Sequence, residues 1–343
     1  MKTEHIIVGV VGLKMGKNHL KAALNFGAEV GAICDPDTAL LEAVCEEFQI
    51  PAERCFTDYR AMLAAHAINA VIIASPDMVH REQVEAFLAA GVHILCEKPL
   101  ALTRKDLVAI VQAGRAHPEC KLMVGQICRF TPAFVKAKEL VDAGRIGELY
   151  FVESEYAHDY QKMFEGDVPN WRAHPDRHGV VGGGCHAVDL LRWIVGADPT
   201  EVFAYGTHKL LPQVPYDDAT VALMKFPGDV MGKVFVSTGC KRNYTMRTVL
   251  YGTKGTLIFD NKSPTMQFFE ADEQGHTPKE PQVIEITLAD HNADAEFVAF
   301  GKAVLEDLPL EMTAEEGART VAACLAIVES SERGGVVYPN YSM

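Results

Sequence analysis

Two hydrophobic periods alternate along the first part of the chain. The runs HIIVGVVG, EVGAICD, AVIIAS, HILCE and KLMVGQI are short, rich in Val and Ile, and apolar on both faces. Such runs fit the strands of a parallel sheet covered on both sides. Between them apolar residues recur at helical spacing: Leu20, Ala23 and Leu24, then Leu40, Val44, Cys45 and Phe48, then Val84, Phe87 and Leu88. Gly27 and Gly91 stand where those helices would be capped and the next strand begins. Strand, helix, strand in repetition predicts an α/β domain with a doubly wound parallel sheet, over residues 1–123.

The pattern changes after Pro132. A helix, PAFVKAKELVDAG, ends at Gly144 and leads into a long strand, ELYFVESEYAHDY. A polar loop over 158–182 follows, then a second helix, HAVDLLRWIVG. From 201 to 288 only strand signals occur, separated by turns such as PGD and TKG, so neighbouring strands are expected to be antiparallel. Helices over about 292–306 and 313–332 close the chain. Residues 124–343 are thus expected to form an α+β domain with a large, mostly antiparallel open sheet, its C-terminal helix packing back toward the first domain. Helices on one face leave the other to be covered. A partner subunit is the simplest cover, so a homodimer or homotetramer through this sheet is expected.

Composition narrows the partners. Among 343 residues, 32 Lys and Arg against 46 Asp and Glu give a net charge of −14. That balance argues against nucleic acid or an anionic membrane as a partner. No apolar stretch is long enough to span a bilayer, and MKTEHIIVGVVG enters a strand directly rather than reading as a signal peptide. Nine cysteines at irregular spacing, without a CxxC, suggest reduced buried thiols in a cytoplasmic protein rather than a disulfide framework or zinc ribbon.

The first strand ends in GVVGLKMGKNH, with a helix expected next. A glycine turn there is where a dinucleotide pyrophosphate sits, on backbone N–H groups and the positive end of the helix. Gly12, Leu13, Met15 and Gly16 are therefore candidate cofactor-binding residues, although Lys14 stands where the usual fingerprint has a middle glycine. Asp35 ends the second strand about twenty residues later, where an acid binds the ribose hydroxyls. An Asx turn in DPD is the other use of this residue. With Asp37 close by and no Arg beside it, NAD is expected in preference to NADP.

The glycine loop ending in His19, SPDMVH at 75–80, CEKPL at 96–100, GGGCHAVDLLRW at 182–193 and YGTKGTL together resemble the Gfo/Idh/MocA family (glucose-fructose oxidoreductase, inositol dehydrogenase, rhizopine catabolism). The resemblance implies a Rossmann domain and an NAD-dependent oxidoreductase acting on a secondary hydroxyl or ketone of a sugar, sugar derivative or cyclitol. It implies that Lys98 and His186 are catalytic, the lysine holding the reacting oxygen and the histidine exchanging its proton, with a cis Lys98–Pro99 peptide. Glu97 would face the nicotinamide, and Ser75, Pro76 and His80 would line the cofactor. His158 and Tyr160 would correspond to substrate-contacting positions.

Asp189, one helical turn after His186, is positioned to orient that histidine, to contact substrate, or to hold a basic residue. Trp171 and Arg172 close over cofactor or substrate, or form a packed Trp with a surface Arg. The acid that related polyol dehydrogenases carry four residues before the histidine is absent, because position 182 is glycine. No metal is expected: His174, His178, Cys185 and His186 close no ligand set. Two other functions stay open, a glycoside-cleaving enzyme that oxidises transiently and recycles NAD, and a non-catalytic dinucleotide sensor.

Overall fold

The computed structural model describes residues 4–165, 170–289 and 292–343. Residues 166–169 of the expected polar loop lie outside the described residues. The chain divides into two compact units: residues 1–127 with 292–318 and 343, and residues 128–291 with 319–342. This differs from the expected division at 123/124. Leu122–Gly125 completes the first sheet, and residues 292–318 group with the first unit.

The first unit alternates β1 (Ile7–Val11), α1 (Leu13–Phe26), β2 (Glu29–Cys34), α2 (Thr38–Glu47), β3 (Cys55–Phe56), α3 (Tyr59–Ala64), β4 (Ala70–Ile73), α4 (His80–Ala89), β5 (His93–Glu97), α5 (Arg104–Ala116) and β6 (Leu122–Gly125). The strands order β3-β2-β1-β4-β5-β6, all pairs parallel. The chain reverses its direction of winding between β1 and β4. A doubly wound sheet opens its ligand crevice there, beyond the carboxyl ends of the strands. The five expected strands are present. The two-residue β3 at the sheet edge was not legible, being too short to show a period.

Cys45 in α2 and Cys55 in β3 are joined as a disulfide, which corrects the expectation of thiols throughout. The edge strand brings the chain back beside α2, so the two sulfurs meet. Cys34, Cys96, Cys120, Cys128, Cys185 and Cys324 are buried and outside any disulfide, and Cys240, likewise unbridged, is half-buried.

The second unit holds α6 (Pro132–Asp142), β7 (Leu149–Ala157), α7 (Gly179–Gly182), α8 (Cys185–Val195), β8 (Glu201–Thr207), β9 (Ala219–Phe226), β10 (Val230–Ser237), β11 (Thr248–Gly252), β12 (Gly255–Phe259), β13 (Thr265–Glu270) and β14 (Gln282–Glu285). Its eight strands order β14-β13-β12-β11-β7-β10-β9-β8. One pair departs from the expected antiparallel pattern: β7 lies parallel to β10, because the loop and helices between them return the chain to the starting end. Alternation sorts the faces. Val152, Tyr156, Ala222, Met224, Val234 and Val236 point to the buried side. Leu223, Met231, Phe235 and Tyr205 are exposed on the other. Two helices close the sequence, α9 (Ala293–Glu306) and α10 (Ala314–Arg333).

Candidate functional site

In the first unit the coenzyme edge is built from backbone. Gly12 has φ +86°, and a Cβ there would lie 2.5 Å from the carbonyl oxygen of Ala74. Only glycine lets β1 pass this closely under the β4 turn. Gly12, the N-cap residue of α1, has no side chain to cap the helix, so backbone N–H groups and the positive end of the helix line this edge. That is a cradle suited to a pyrophosphate. Leu13 is wholly buried beneath it, whereas Met15 is 45% exposed.

Asp35 is buried, and both of its oxygens hold backbone. Oδ2 accepts from Leu13 N at 2.7 Å, and Oδ1 accepts from Asp37 N at 2.9 Å. The Asx turn expected for DPD therefore forms, and the same carboxylate fastens the glycine loop. Each oxygen retains a lone pair for a further donor.

The end of β5 is an acid–base assembly. His19 Nε2 lies 2.7 Å from Glu97 Oε1, and Lys98 N donates to Glu97 Oε2 at 3.0 Å. Burial would raise the Glu97 pKa, but the hydrogen bond and charge of His19, with Lys98, hold it down to about 2. His19 is raised: burial lowers it, and Glu97 more than compensates. The Lys98–Pro99 peptide is cis, and both Glu97 and Lys98 are partly open to solvent.

His80 is not where the resemblance implied. It is fully buried, with Nδ1 3.1 Å from Pro99 O and Nε2 3.0 Å from Ser75 O. Contact with a cofactor is not open to it. Two carbonyl acceptors require both ring nitrogens to carry protons. Burial opposes that charge, but the Cys96 sulfur, Asp77 and the Ser75 carbonyl outweigh it and push the pKa up to about 10. Its part is to join the turns after β4 and β5. Ser75 donates its hydroxyl to Gln83 Oε1 at 2.6 Å, and both Ser75 and Pro76 remain partly open.

The second unit gathers its candidates around His186, near the start of α8 and 2% exposed. Its Nδ1 faces Cys128 Sγ at 3.5 Å, while that thiol is directed at Met246 Sδ at 3.6 Å. The thiol thus engages the ring at Nδ1. The ring stacks on Tyr156, centroids 6.1 Å apart. Tyr156 in turn meets His158 Nδ1 at 3.1 Å and the Tyr160 hydroxyl at 2.8 Å. Burial, then Tyr160 and Tyr244, raise the Tyr156 pKa well above its ordinary value. Gly183 makes room for this cluster, since a Cβ there would fall 2.5 Å from Tyr156 Cε1. Tyr160 is 4% exposed and spends its hydroxyl on Tyr156. It supports the cluster, and His158 is the partly open member.

Asp189 is corrected as a substrate contact. It is fully buried, and Arg129 grips it with Nε to Oδ2 at 2.9 Å and Nη2 to Oδ1 at 2.8 Å. Thr320 donates to the same Oδ1 at 2.8 Å. Of the uses expected for it, holding a basic residue is the one realised. At Gly182 a side chain would overlap the guanidinium of Arg177, so the space of the missing acid is held by a cation. Trp171 is half-buried and meets two guanidinium groups, Arg172 at 4.3 Å and Arg177 at 4.6 Å from the ring centroid. Among the described residues no group of three His, Cys, Asp or Glu side chains could hold a metal ion. No helix among them is long and apolar enough to cross a membrane.

The fold and the coenzyme edge are those of a dinucleotide-binding oxidoreductase. Comparison with known proteins gives the family. Residues 6–126 match the model described as an oxidoreductase family with an NAD-binding Rossmann fold, and residues 134–258 match the GFO/IDH/MocA C-terminal domain. The chain belongs to the Gfo/Idh/MocA family of NAD-dependent oxidoreductases. It is 29% identical over 273 residues to an uncharacterized oxidoreductase, YrbE, of Bacillus subtilis, covering 77% of this chain and 76% of that one. Inositol 2-dehydrogenase 2 of Saccharopolyspora erythraea is 27% identical over 254 residues, covering 73% and 72% of the two chains. The crystal structure of scyllo-inositol dehydrogenase from Lactobacillus casei with bound NAD(H) and scyllo-inositol superposes with a TM-score of 0.80. Its identity is 25%, with 97% of this chain and 99% of that chain covered.

Proposed function

We propose that the enzyme transfers a hydride between NAD and a secondary hydroxyl or ketone of a cyclitol or sugar. The observation that carries this reading is the end of β5, where a His19–Glu97 pair holds the backbone of Lys98 at the carboxyl edge of a dinucleotide sheet. Inositol dehydrogenases among the relatives support the substrate class.

Bound NAD supplies the hydride acceptor. The chain supplies the rest. The turn at Gly12 and the N-terminus of α1 bind the pyrophosphate, and Asp35 accepts from the ribose hydroxyls with its remaining lone pairs. The Lys98 ammonium donates to the reacting oxygen and stabilises the negative charge that grows on it. His186 takes the hydroxyl proton at Nε2, with Cys128 holding the ring at Nδ1 on the opposite side. His158 donates to or accepts from a neighbouring substrate hydroxyl, and Arg172 serves the same substrate.

Incubation with NAD and a panel of free cyclitols, sugars and aryl glycosides, monitored for NADH and aglycone together, tests the assignment. Accumulating NADH with a cyclitol or sugar is the expected result. Aglycone release without net NADH, or no change with any compound, would remove it.

Asp35, with Asp37 beside it, would repel a 2′-phosphate, so NAD is the preferred coenzyme. NAD is expected to raise the melting temperature more than NADP at equal concentration. Equal shifts would discount Asp35 as the selector. The exposed sheet face carrying Leu223, Met231 and Phe235 interleaves with charges of both signs, Glu153, Lys225, Lys233 and Arg247. Such a face complements itself, and we assign it to a second copy in a homodimer or homotetramer; light scattering giving a monomer mass would refute that. The buried unbridged thiols favour a cytoplasmic location, which cell fractionation checks.

A further inference from the structure

The first unit contains a buried acid that the mechanism above does not use. Glu296 sits in the first turn of α9 and has no exposed surface. It is turned inward because α9 packs on α1. Phe297 meets Phe26 edge-on at 5.5 Å, and Gly301 leaves space for the Phe26 ring, which a Cβ would approach to 2.6 Å. Neither carboxyl oxygen of Glu296 has a hydrogen-bond partner, and neither has Nδ1 of His19. Glu296 Oε2 and that nitrogen are 3.8 Å apart. The opposite nitrogen of the same ring makes the 2.7 Å contact with Glu97, whose other oxygen holds Lys98 N.

A carboxylate buried without partners is too costly to persist, so the group either stays protonated or shares its charge with a neighbour. Burial, opposed by His19 and reinforced by Glu97, pushes the Glu296 carboxyl up to about 8. The groups facing it are His19 from α1 and Glu97 and Lys98 from the end of β5. From β6 it meets Gly125, where a Cβ would be 3.6 Å from Oε1.

We propose that Glu296 is a positioning residue for Lys98, sharing one proton with His19 Nδ1 and acting on the lysine through His19 and Glu97. When the 3.8 Å gap closes to hydrogen-bond distance or one water bridges it, the proton leaves a Glu296 oxygen and Nδ1 gains one, turning acid and neutral imidazole into carboxylate and imidazolium with no change in net charge. Nε2–H stays on Glu97 in both forms. What changes is the positive charge set against Glu97, and hence the field that the Lys98 ammonium feels. The pair acts as one titrating unit.

This inference deepens the proposed function and rests on it for its kinetic arm. The test compares the full-length protein with Glu296→Gln, which keeps size and polarity but cannot exchange the proton. NAD and myo-inositol, with the other panel compounds, serve as probes from about pH 6 to pH 10. We expect kcat to fall about tenfold near neutrality, KM for NAD to stay within about twofold, and the basic limb of the kcat profile to move by about one pH unit. Glu296→Asp is expected to recover part of the loss. The second arm needs no turnover. The ¹⁵N imidazole resonances of His19, assigned with His19→Gln, are followed through a pH titration. In the wild type the ring keeps its Nδ1 proton to higher pH than in Glu296→Gln. Coincident His19 titrations in the two proteins overturn the proposal. Should the wild type reduce NAD with no probe, the proposed function fails, while the His19 titration still decides the place of Glu296.

Discussion

Replacing Lys98 with alanine is expected to lower kcat/KM for a cyclitol or sugar by about a hundredfold to a thousandfold and to leave the melting temperature nearly unchanged. The first half follows from what the ammonium does. A donor aimed at an oxygen on which charge develops is worth about 3–4 kcal/mol when lost, and each factor of ten in rate is about 1.4 kcal/mol. The second half follows from what holds the segment. Lys98 is anchored through its backbone N–H to Glu97 Oε2, and Glu97 is fixed by His19. Both contacts survive truncation of the lysine side chain. The decisive measurement is steady-state kinetics alongside a thermal melt. Turnover within about threefold of the wild type would remove Lys98 from the chemistry. A melt that collapses would show the ammonium holding the fold instead.

Arg129→Ala should have the largest effect on stability, about 3–5 kcal/mol, seen as a lower urea midpoint for the second unit. Asp189 is entirely buried, with both oxygens committed to Arg129. Thr320, which also donates to it, is itself held by Arg192 Nη1 at 2.7 Å. Removing the guanidinium leaves a buried carboxylate with one hydroxyl donor and the Arg192 guanidinium 3.8 Å away, out of hydrogen-bond reach. Breaking one side of such a pair is strongly destabilising, whereas replacing both sides with apolar groups is often close to neutral. The double variant Arg129→Met, Asp189→Leu should therefore recover most of the loss. A single variant that melts like the wild type would show that water reaches Asp189.

The sequence was most informative where one residue type has few structural uses. The buried strands showed themselves by unbroken apolar runs, and Gly12 by its place between a strand and a helix. Glu97 and Lys98 stood out because charge rarely follows directly on an all-apolar strand. Other parts were hidden because their meaning is set by a distant segment. Glu296, in DAEFVAF, reads as an ordinary acid in the first turn of an amphipathic helix. Only the docking of Phe297 on Phe26 turns it inward. His19 reads as the end of a glycine loop until Glu97, seventy-eight residues later, is placed against it. The missing acid at Gly182 was visible, but Arg177 as the occupant of that space was not. Nothing about an i, i−5 arginine signals it until the turn between them is known. His80 and Asp189 misled in the same way, since polar residues inside recognisable motifs can be spent on holding the fold, His80 on two backbone carbonyls and Asp189 on Arg129 and Thr320.

Asp35 illustrates what such double employment means for anyone redesigning the enzyme. Its two oxygens clasp the amides of Leu13 and Asp37, so the residue offered as the discriminator between coenzymes is also the latch of the turn that would receive them. A swap to serine or alanine, meant only to admit a phosphorylated ribose, would loosen the loop for either coenzyme. Retargeting would have to begin by supplying Leu13 N–H with another acceptor before the charge is taken away.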